Sequence, residues 1–393
     1  MLVPTTTGER PLKRTLYDSE HEQFRATVRE FLTREVVPHH ARWEADGIVE
    51  RSLYVEAGKQ GILGFSVPEE YGGGGLTGDF RFNAVVNEEL CRSFASGPAF
   101  TLQNDVLAPY LIDLTTAEQK QRWLPGFASG ELIAAVAMTE PGTGSDLQGI
   151  RTSAARDGDD WVLNGSKTFI SCGINADLVF VVTRTDPAAG SRGFTLLAVE
   201  RGMPGFERGR NLDKLGLHAQ DTAELSFTDV RVPGTNVVGG VGKAFGLLMR
   251  NLPQERLSIA ITGVAASRAV LDVTLDYVKQ RTAFGQSIGS FQNTRFVLAE
   301  LDTEVDIAQV YVDRMVTELS AGTLSDVDAA RAKLWCTELQ LKVVDACLQL
   351  HGGYGYMTEY AVARAYADAR VQTIYGGSSE IMKEIVGRSL GLG

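Results

Sequence analysis

Apolar residues recur at helical spacing from the start of the chain. Phe24, Val28, Phe31, Leu32 and Val36 make one such face, which ends before Pro38. Ser19 and Glu22 stand ahead of it at capping-box spacing and predict a helix capped by Ser19. A second helix is expected over 53–60, stopped by Gly61, and a third carries Phe82, Val85, Val86 and Leu90. The glycines at 72–75 read as a flexible joint between them. Ser96-Gly97-Pro98 interrupts the pattern, and further helical segments run to about Phe127.

From Glu131 the texture changes to short β-rich runs at 161–163, 167–171, 178–183, 194–199 and 223–227. Asn164-Gly165 predicts a two-residue hairpin between the first two, and Asp157-Gly158 predicts another turn. No helical pattern separates these runs, so a small antiparallel sandwich or barrel is expected. From about Gly242 helical spacing returns, with long helices over 253–280, 291–320 and 326–350, each too apolar to stand alone. The expected fold is α+β, mostly α. An N-terminal helical domain (1–130) leads to a middle antiparallel β domain (131–239) and a C-terminal helical bundle (240–393).

Composition narrows the partners. At 393 residues the chain can hold two or three domains with substantial cores. A net charge of −11, with no long block of Lys or Arg, argues against nucleic acid and anionic membrane surfaces. The four cysteines (Cys91, Cys172, Cys336, Cys347) form no CxxC pair, so no metal site or disulfide framework is expected. They suit a reducing, cytoplasmic setting. No apolar run approaches membrane-spanning length, and residues 1–14 lack the apolar core of a signal peptide.

Candidate chemistry concentrates at five places. In the first, Leu257, Ile261, Val264, Leu271, Leu275 and Val278 form an apolar helical stripe interrupted by Arg268, with Pro253 suited to the first turn. Glu255 lies off that stripe, in line with Ser258, Thr262, Ala266 and Ala269. A carboxylate above small side chains can stand beside a flat ligand. A first-turn glutamate that complements the helix dipole has the same appearance. The second, Met138-Thr139-Glu140-Pro141-Gly142-Thr143-Gly144-Ser145-Asp146, is a donor-rich loop at a domain junction, able to hold a phosphate or ring edge or simply to turn. The third, Lys167 to Gly173, puts Phe169 and Ser171 near a strand end. The fourth, Gln349-Leu350-His351-Gly352-Gly353-Tyr354-Gly355-Tyr356, follows a buried helix and allows close backbone approach. His351 there suits a structural role. The fifth, Tyr375-Gly376-Gly377-Ser378-Ser379-Glu380, opens a helix running to about Leu390, where N–H groups could polarise a carbonyl and Ser378 or Ser379 could serve as cap.

Taken together and in order, these segments resemble the acyl-CoA dehydrogenase family over essentially the whole chain. MTEPGTGSD, KTFISCG, RTAFGQ with Phe291-Gln292, QLHGGYGY and IYGGSSEIMKE carry the resemblance. It implies a C-terminal four-helix bundle, FAD, and a fatty acyl-CoA substrate oxidised to the trans-2-enoyl thioester. A carboxylate would take the α-proton while the β-hydrogen leaves as hydride to flavin N5. An electron-transfer flavoprotein would accept the electrons, and a homotetramer is expected. By position, Met138, Thr139 and Ser145 would meet the flavin and the pantetheine, and Phe169 and Ser171 would flank the ring. Arg281, Phe284, Gln292, Gln349, Gly352 and Gly353 would serve FAD across a subunit boundary, and Ser378 and Glu380 its diphosphate and ribose. Arg256, Tyr375, Gly376 and Gly377 would lie on the substrate side.

The informative departure is Gly376, where most of the family carries the catalytic glutamate. Two branches, resembling long-chain and isovaleryl-CoA dehydrogenases, place the base on the first bundle helix, and Glu255 holds that position. The resemblance therefore implies Glu255 as base, with room left near the α-carbon at Gly376, in fatty-acid or branched-chain degradation. An acyl-CoA oxidase or another flavoprotein on the same scaffold is the alternative. Phe169 stands where many members have Trp, and Ser171 and Ser378 where Thr is common, which preserves aromatic and hydroxyl character.

Overall fold

The first helical third is realised as six helices. In the computed structural model, which describes residues 13–392, they are α1 (Ser19–Phe31), α2 (His40–Asp46), α3 (Arg51–Lys59), α4 (Arg81–Arg92), α5 (Ala108–Asp113) and α6 (Ala117–Ser129). The first twelve residues of the polar N-terminal stretch, and Gly393, lie outside the described residues. The cap of α1 falls one residue before the expected one. Asp18 is the N-cap, and His21 Nδ1, not a glutamate, accepts its N–H at 3.2 Å. His21 Nε2 meets Asp79 at 3.1 Å, so both ring nitrogens of His21 are engaged. The glycines at 72–75 are no flexible joint. Gly74 N–H donates to Gly64 O and Gly75 N–H to Val67 O, and a Cβ on Gly73 would lie 2.2 Å from Val67 O. Glycine is needed there for close backbone approach.

Eight strands form one sheet: β1 (Ala134–Ala137), β2 (Ser153–Asp157), β3 (Asp160–Ser171), β4 (Leu178–Arg184), β5 (Phe194–Glu200), β6 (Phe206–Asn211), β7 (Thr222–Val232) and β8 (Val237–Val238). Their order is β6-β7-β3-β2-β4-β5-β8, with β1 added on β4. The pairing is antiparallel except that β1 and β2 meet β4 in parallel. Asn164-Gly165 does not make the hairpin its dipeptide predicts. The turn lies at Gly158, and β3 runs straight through Asn164-Gly165 with a register shift against β7. A Cβ at Gly165 would lie 2.6 Å from Thr152 Oγ1, and Asn164 bonds Asp229 with both ends of its amide. The dipeptide marks a bulge.

β4 and β5 are buried on both faces. Phe180, Val182 and Leu196 pack under α5 and α6, while Val179, Val181 and Leu197 face the core of the sheet itself. This seats α5, and Tyr110 with it, directly on the sheet.

The C-terminal part contains α7 (Ala244–Gln280), a small hairpin of β9 (Thr282–Ala283) and β10 (Gln286–Ser287), α8 (Gln292–Ser320), α9 (Asp326–His351), α10 (Ala361–Ala369) and α11 (Ser379–Ser389). α7 begins more than two turns before Pro253, which therefore sits inside the helix rather than in its first turn. The apolar stripe of α7 packs with Leu301 and Val305 of α8 and Cys336 and Val343 of α9. Each fully buried Leu, Ile or Val among them is worth roughly 1.5–3 kcal/mol. Arg268, which interrupts the stripe, pairs with Asp302 and Asp306 of α8. α7 is long and apolar enough to cross a membrane by length and composition, contrary to the expectation from sequence. α4, α8 and α9 cover it, as they would the core helix of a bundle.

Candidate active site

A cleft of about 340 Å³ lies where α4, the segment 94–106, β1, β3, α7 and the loop 372–376 meet. Glu255 enters it from α7, followed along the same face by Ser258, Thr262 and Ala266. The row of small side chains faces this space. Ala269 is buried outside it, and Val270 closes the row instead.

Glu255 is 7% exposed, and the Tyr110 hydroxyl donates to its Oε1 at 3.4 Å. Burial pushes its carboxyl up to about 7, against the opposing effects of Tyr110 and the Arg256 guanidinium. A first-turn position would have lowered it through the helix dipole. Because α7 starts at Ala244, Glu255 lies roughly three turns in, beyond the reach of that dipole. A carboxyl that titrates near neutrality is suited to general-base work.

The opposite wall comes from the sheet. The register of β3 shifts between Lys167 and Ile170, and Phe169 takes a left-handed φ of 60°. A bulky residue in that region is strained, and here the strain turns an aromatic ring out of the sheet. Phe169 is 67% exposed and lines the cleft with Ser171, Met138 and Thr139. Buried Lys167 ties this wall together, its Nζ donating to Met138 O and Glu140 Oε1, both at 2.9 Å. The Glu140 carboxylate also accepts the N–H groups of Arg151 and Thr152. Ser145, further along the same loop, is exposed and does not line the cleft.

Tyr375 and Gly376 complete the lining. Lys333 of α9 is buried in its stem and donates to Gln372 O at 3.0 Å and Gly377 O at 2.7 Å, which fixes this loop against the bundle. The Gly376 N–H has no partner among the described residues. Gly376 has φ 62°, and a Cβ there would lie 2.4 Å from Ile259 Cδ1. The room expected from the missing side chain is therefore taken by Ile259. An exposed ring, apolar Met138 and Ile170, the hydroxyls of Thr139 and Ser171, and an uncommitted N–H suit a flat heteroaromatic ring with a polar edge. Buried Gln340, whose Oε1 has no partner among the described residues, lines the same space.

Other candidates stand apart from the cleft. Arg256 is buried and paired with Asp326 at the start of α9, so its guanidinium is directed away from the expected substrate side. Ser378 caps α11 by accepting the Ile381 N–H, and Glu380 is exposed in its first turn. Arg281, Phe284, Gln292, Gln349, Gly352 and Gly353 are exposed outside the cleft. Arg281 lies over the Tyr354 ring at 5.7 Å, and Phe284, 95% exposed, meets Phe291 edge-on. His351 is structural, bonded to Cys347 O and stacked on Tyr277. The sequence reading missed Tyr110, Asp105 and Lys333. A lysine among the buried Ala329, Ala330, Ala332 and Cys336 was a legible signal for Lys333; Tyr110 and Asp105 had none.

A helical–β–helical chain that aims a buried, near-neutral carboxylate into an aromatic-walled cleft has the arrangement of a proton-abstracting enzyme. Three family models cover it, described as the acyl-CoA dehydrogenase N-terminal domain over residues 18–131, middle domain over 135–230 and C-terminal domain over 242–391. The chain belongs to the acyl-CoA dehydrogenase family. It is 48% identical over 379 residues to the mitochondrial long-chain specific acyl-CoA dehydrogenase of Sus scrofa, covering 96% of this chain and 88% of that protein. The mitochondrial isovaleryl-CoA dehydrogenase of Solanum tuberosum is 36% identical over 378 residues, 95% and 91% of the two chains. The crystal structure of an acyl-CoA dehydrogenase from Geobacillus kaustophilus superposes with a TM-score of 0.95 at 48% identity, covering 97% of this chain and 100% of that one. The protein is thus an oxidoreductase of a flavoprotein family that dehydrogenates acyl-CoA thioesters.

Proposed function

We propose that this protein is an FAD-dependent dehydrogenase of long-chain acyl-CoA in which Glu255 removes the α-proton. The observation that carries the reading is Glu255 itself, a carboxyl buried beside an open cleft and raised to about 7. Ionised, it accepts the proton. The acyl chain displaces water from the cleft and raises its basicity further. The Gly376 N–H donates to the thioester oxygen and acidifies the α-carbon. Met138, Thr139, Phe169 and Ser171 would hold the flavin ring, and bound FAD would supply the acceptor for the β-hydride, giving the trans-2-enoyl thioester. Two observations support a long chain. The cleft follows α7 from Glu255 to Val270, about 22 Å of helix, past small side chains. The relative at 48% identity is named for long-chain substrates.

Ser145 at the loop tip would meet the pantetheine, and Ser378 and Glu380 the diphosphate and ribose. Arg281, Phe284, Gln292, Gln349, Gly352 and Gly353 would reach the FAD of a neighbouring subunit in a homotetramer. An electron-transfer flavoprotein would reoxidise the enzyme, in a cytoplasmic setting.

Anaerobic titration with short, long, branched and cyclic acyl-CoA thioesters tests this reading. Long straight-chain thioesters should bleach the flavin band most efficiently. Glu255→Gln should retain flavin and thioester but lose reduction by several orders of magnitude. Reduction at a near-normal rate in that variant would remove Glu255 from the role. Rapid oxygen consumption by the reduced protein would mark an oxidase instead.

A further inference from the structure

We infer that Tyr110 is a positioning residue for the base: its hydroxyl anchors one oxygen of Glu255 and leaves the other free to reach the substrate. The inference rests on Glu255 as the base and adds a second residue, 145 positions away in sequence, that controls it.

The Tyr110 ring has no freedom of its own. It is fully buried at the start of α5, stacked on Phe180 of β4 at 5.9 Å, with Trp123 against the edge of Phe180. Its hydroxyl meets Glu255 Oε1, while Glu255 Oε2 has no partner among the described residues. Side chains of the same α7 turn are held by the residues just before α5. There the chain makes a wide π-type turn (Leu102–Leu107), a distortion often found at functional sites. Asp105 in that turn accepts Gln254 Nε2 on its carbonyl at 2.7 Å and Ser258 Oγ on its carboxylate. Asn83 and Asn87 of α4 hold the Asp105 carboxylate from behind, both at 2.7 Å. Residues 254 and 258 flank Glu255, so one short segment grips the turn on both sides of the base and its carboxylate as well.

The charged and titratable groups around that turn are Arg256 on α7, tied to Asp326; Asp105 from the π-type turn; Cys91 of α4; and Lys333 of α9, with Tyr375, across Gly376. Among the described residues only Tyr110 bonds the Glu255 carboxylate. A neutral donor on a carboxylate favours its ionised form. Without the donor the acid form persists to higher pH.

Tyr110→Phe keeps the ring and the contact with Phe180 while removing the hydroxyl. The carboxyl band of Glu255 is isolated by infrared difference against Glu255→Gln and titrated in the FAD-loaded protein. In Tyr110→Phe its midpoint should rise by about one pH unit, the tenfold change expected for one lost bond to a charged group. The acid limb of flavin reduction should move with it, and the rate above that limb should return to within several-fold of the parent. An unmoved midpoint and limb, whatever the rate, would overturn the inference. Flavin reduction surviving in Glu255→Gln would overturn the base assignment instead. An inactive Glu255→Gln beside a Tyr110→Phe protein that titrates like the parent would overturn Tyr110 alone.

Discussion

At the scale of the residue, Glu255, the proposed base, is held in the fold at a thermodynamic cost. A carboxyl raised from 4.5 to about 7 binds its proton more tightly folded than unfolded. Its contribution to stability is present below the unfolded value and is lost as pH rises through about 7. Above that pH the ionised group costs about 3 kcal/mol, before relaxation. Glu255→Gln should therefore raise the thermal midpoint of the FAD-free protein at pH 8 and leave it nearly unchanged at pH 4.5, as scanning calorimetry at the two pH values would report. No gain at pH 8 would mean that Glu255 is not strained by burial. In the parent enzyme the rate of flavin reduction should fall as pH drops through the same region. Helical spacing set Glu255 above Ser258, Thr262 and Ala266 but fitted a dipole-complementing glutamate equally; the family resemblance and the glycine at 376 singled it out. Tyr110 was not legible in the sequence, because it meets Glu255 only through the stacking of α5 on the sheet. Phe169 was legible as an aromatic at a strand end, but its exposure depends on a bulge that spacing does not reveal.

At the scale of the element, local chemistry identified what was present and mistook how it was used. Asn164-Gly165 has the composition of a hairpin turn, yet Thr152 and Asp229 recruit it into a bulge within β3. Pro253 has the signature of a first helical turn, yet packing carries α7 more than two turns upstream through it. Tertiary contacts decided both cases, and the second explains why Glu255 is free of the helix dipole. The bundle itself rests on close approach. A Cβ on Gly263 would lie 2.8 Å from Cys336 O, so α7 and α9 are pressed together beside the cleft. Gly263→Val should lower stability by about 1–3 kcal/mol through overpacking, seen as a drop in thermal midpoint. An unchanged midpoint would show that the helices separate easily. Lys333→Met should act differently, because it leaves Gln372 O and Gly377 O without their donor. Flavin content should hold, while kcat/KM for a long-chain thioester falls about 10–100-fold as the Gly376 N–H loses its fixed position.

At the scale of the whole molecule, the candidate residues divide between two surfaces that one chain does not bring together. Glu255, Phe169 and Gly376 face the cleft, whereas Arg281, Phe284 and Gln349 stand outside it. The outer group leaves large rings open to solvent. Phe284 is 95% and Tyr356 82% exposed, and Phe284 holds a left-handed φ of 52° that an isolated loop would not favour. An assembly that places this surface at a neighbour's cleft would reconcile the two halves of the motif set, as the family resemblance implies. Such an assembly would make flavin retention depend on association. A chain carrying both Arg281→Glu and Phe284→Ser should give a smaller species by light scattering. It should also lose bound FAD in proportion, with Glu255 still titrating near 7 by infrared difference. Parent protein that remains a single chain while retaining FAD, or a doubly substituted chain that dissociates yet keeps its flavin, would show that the outer surface serves no neighbouring site.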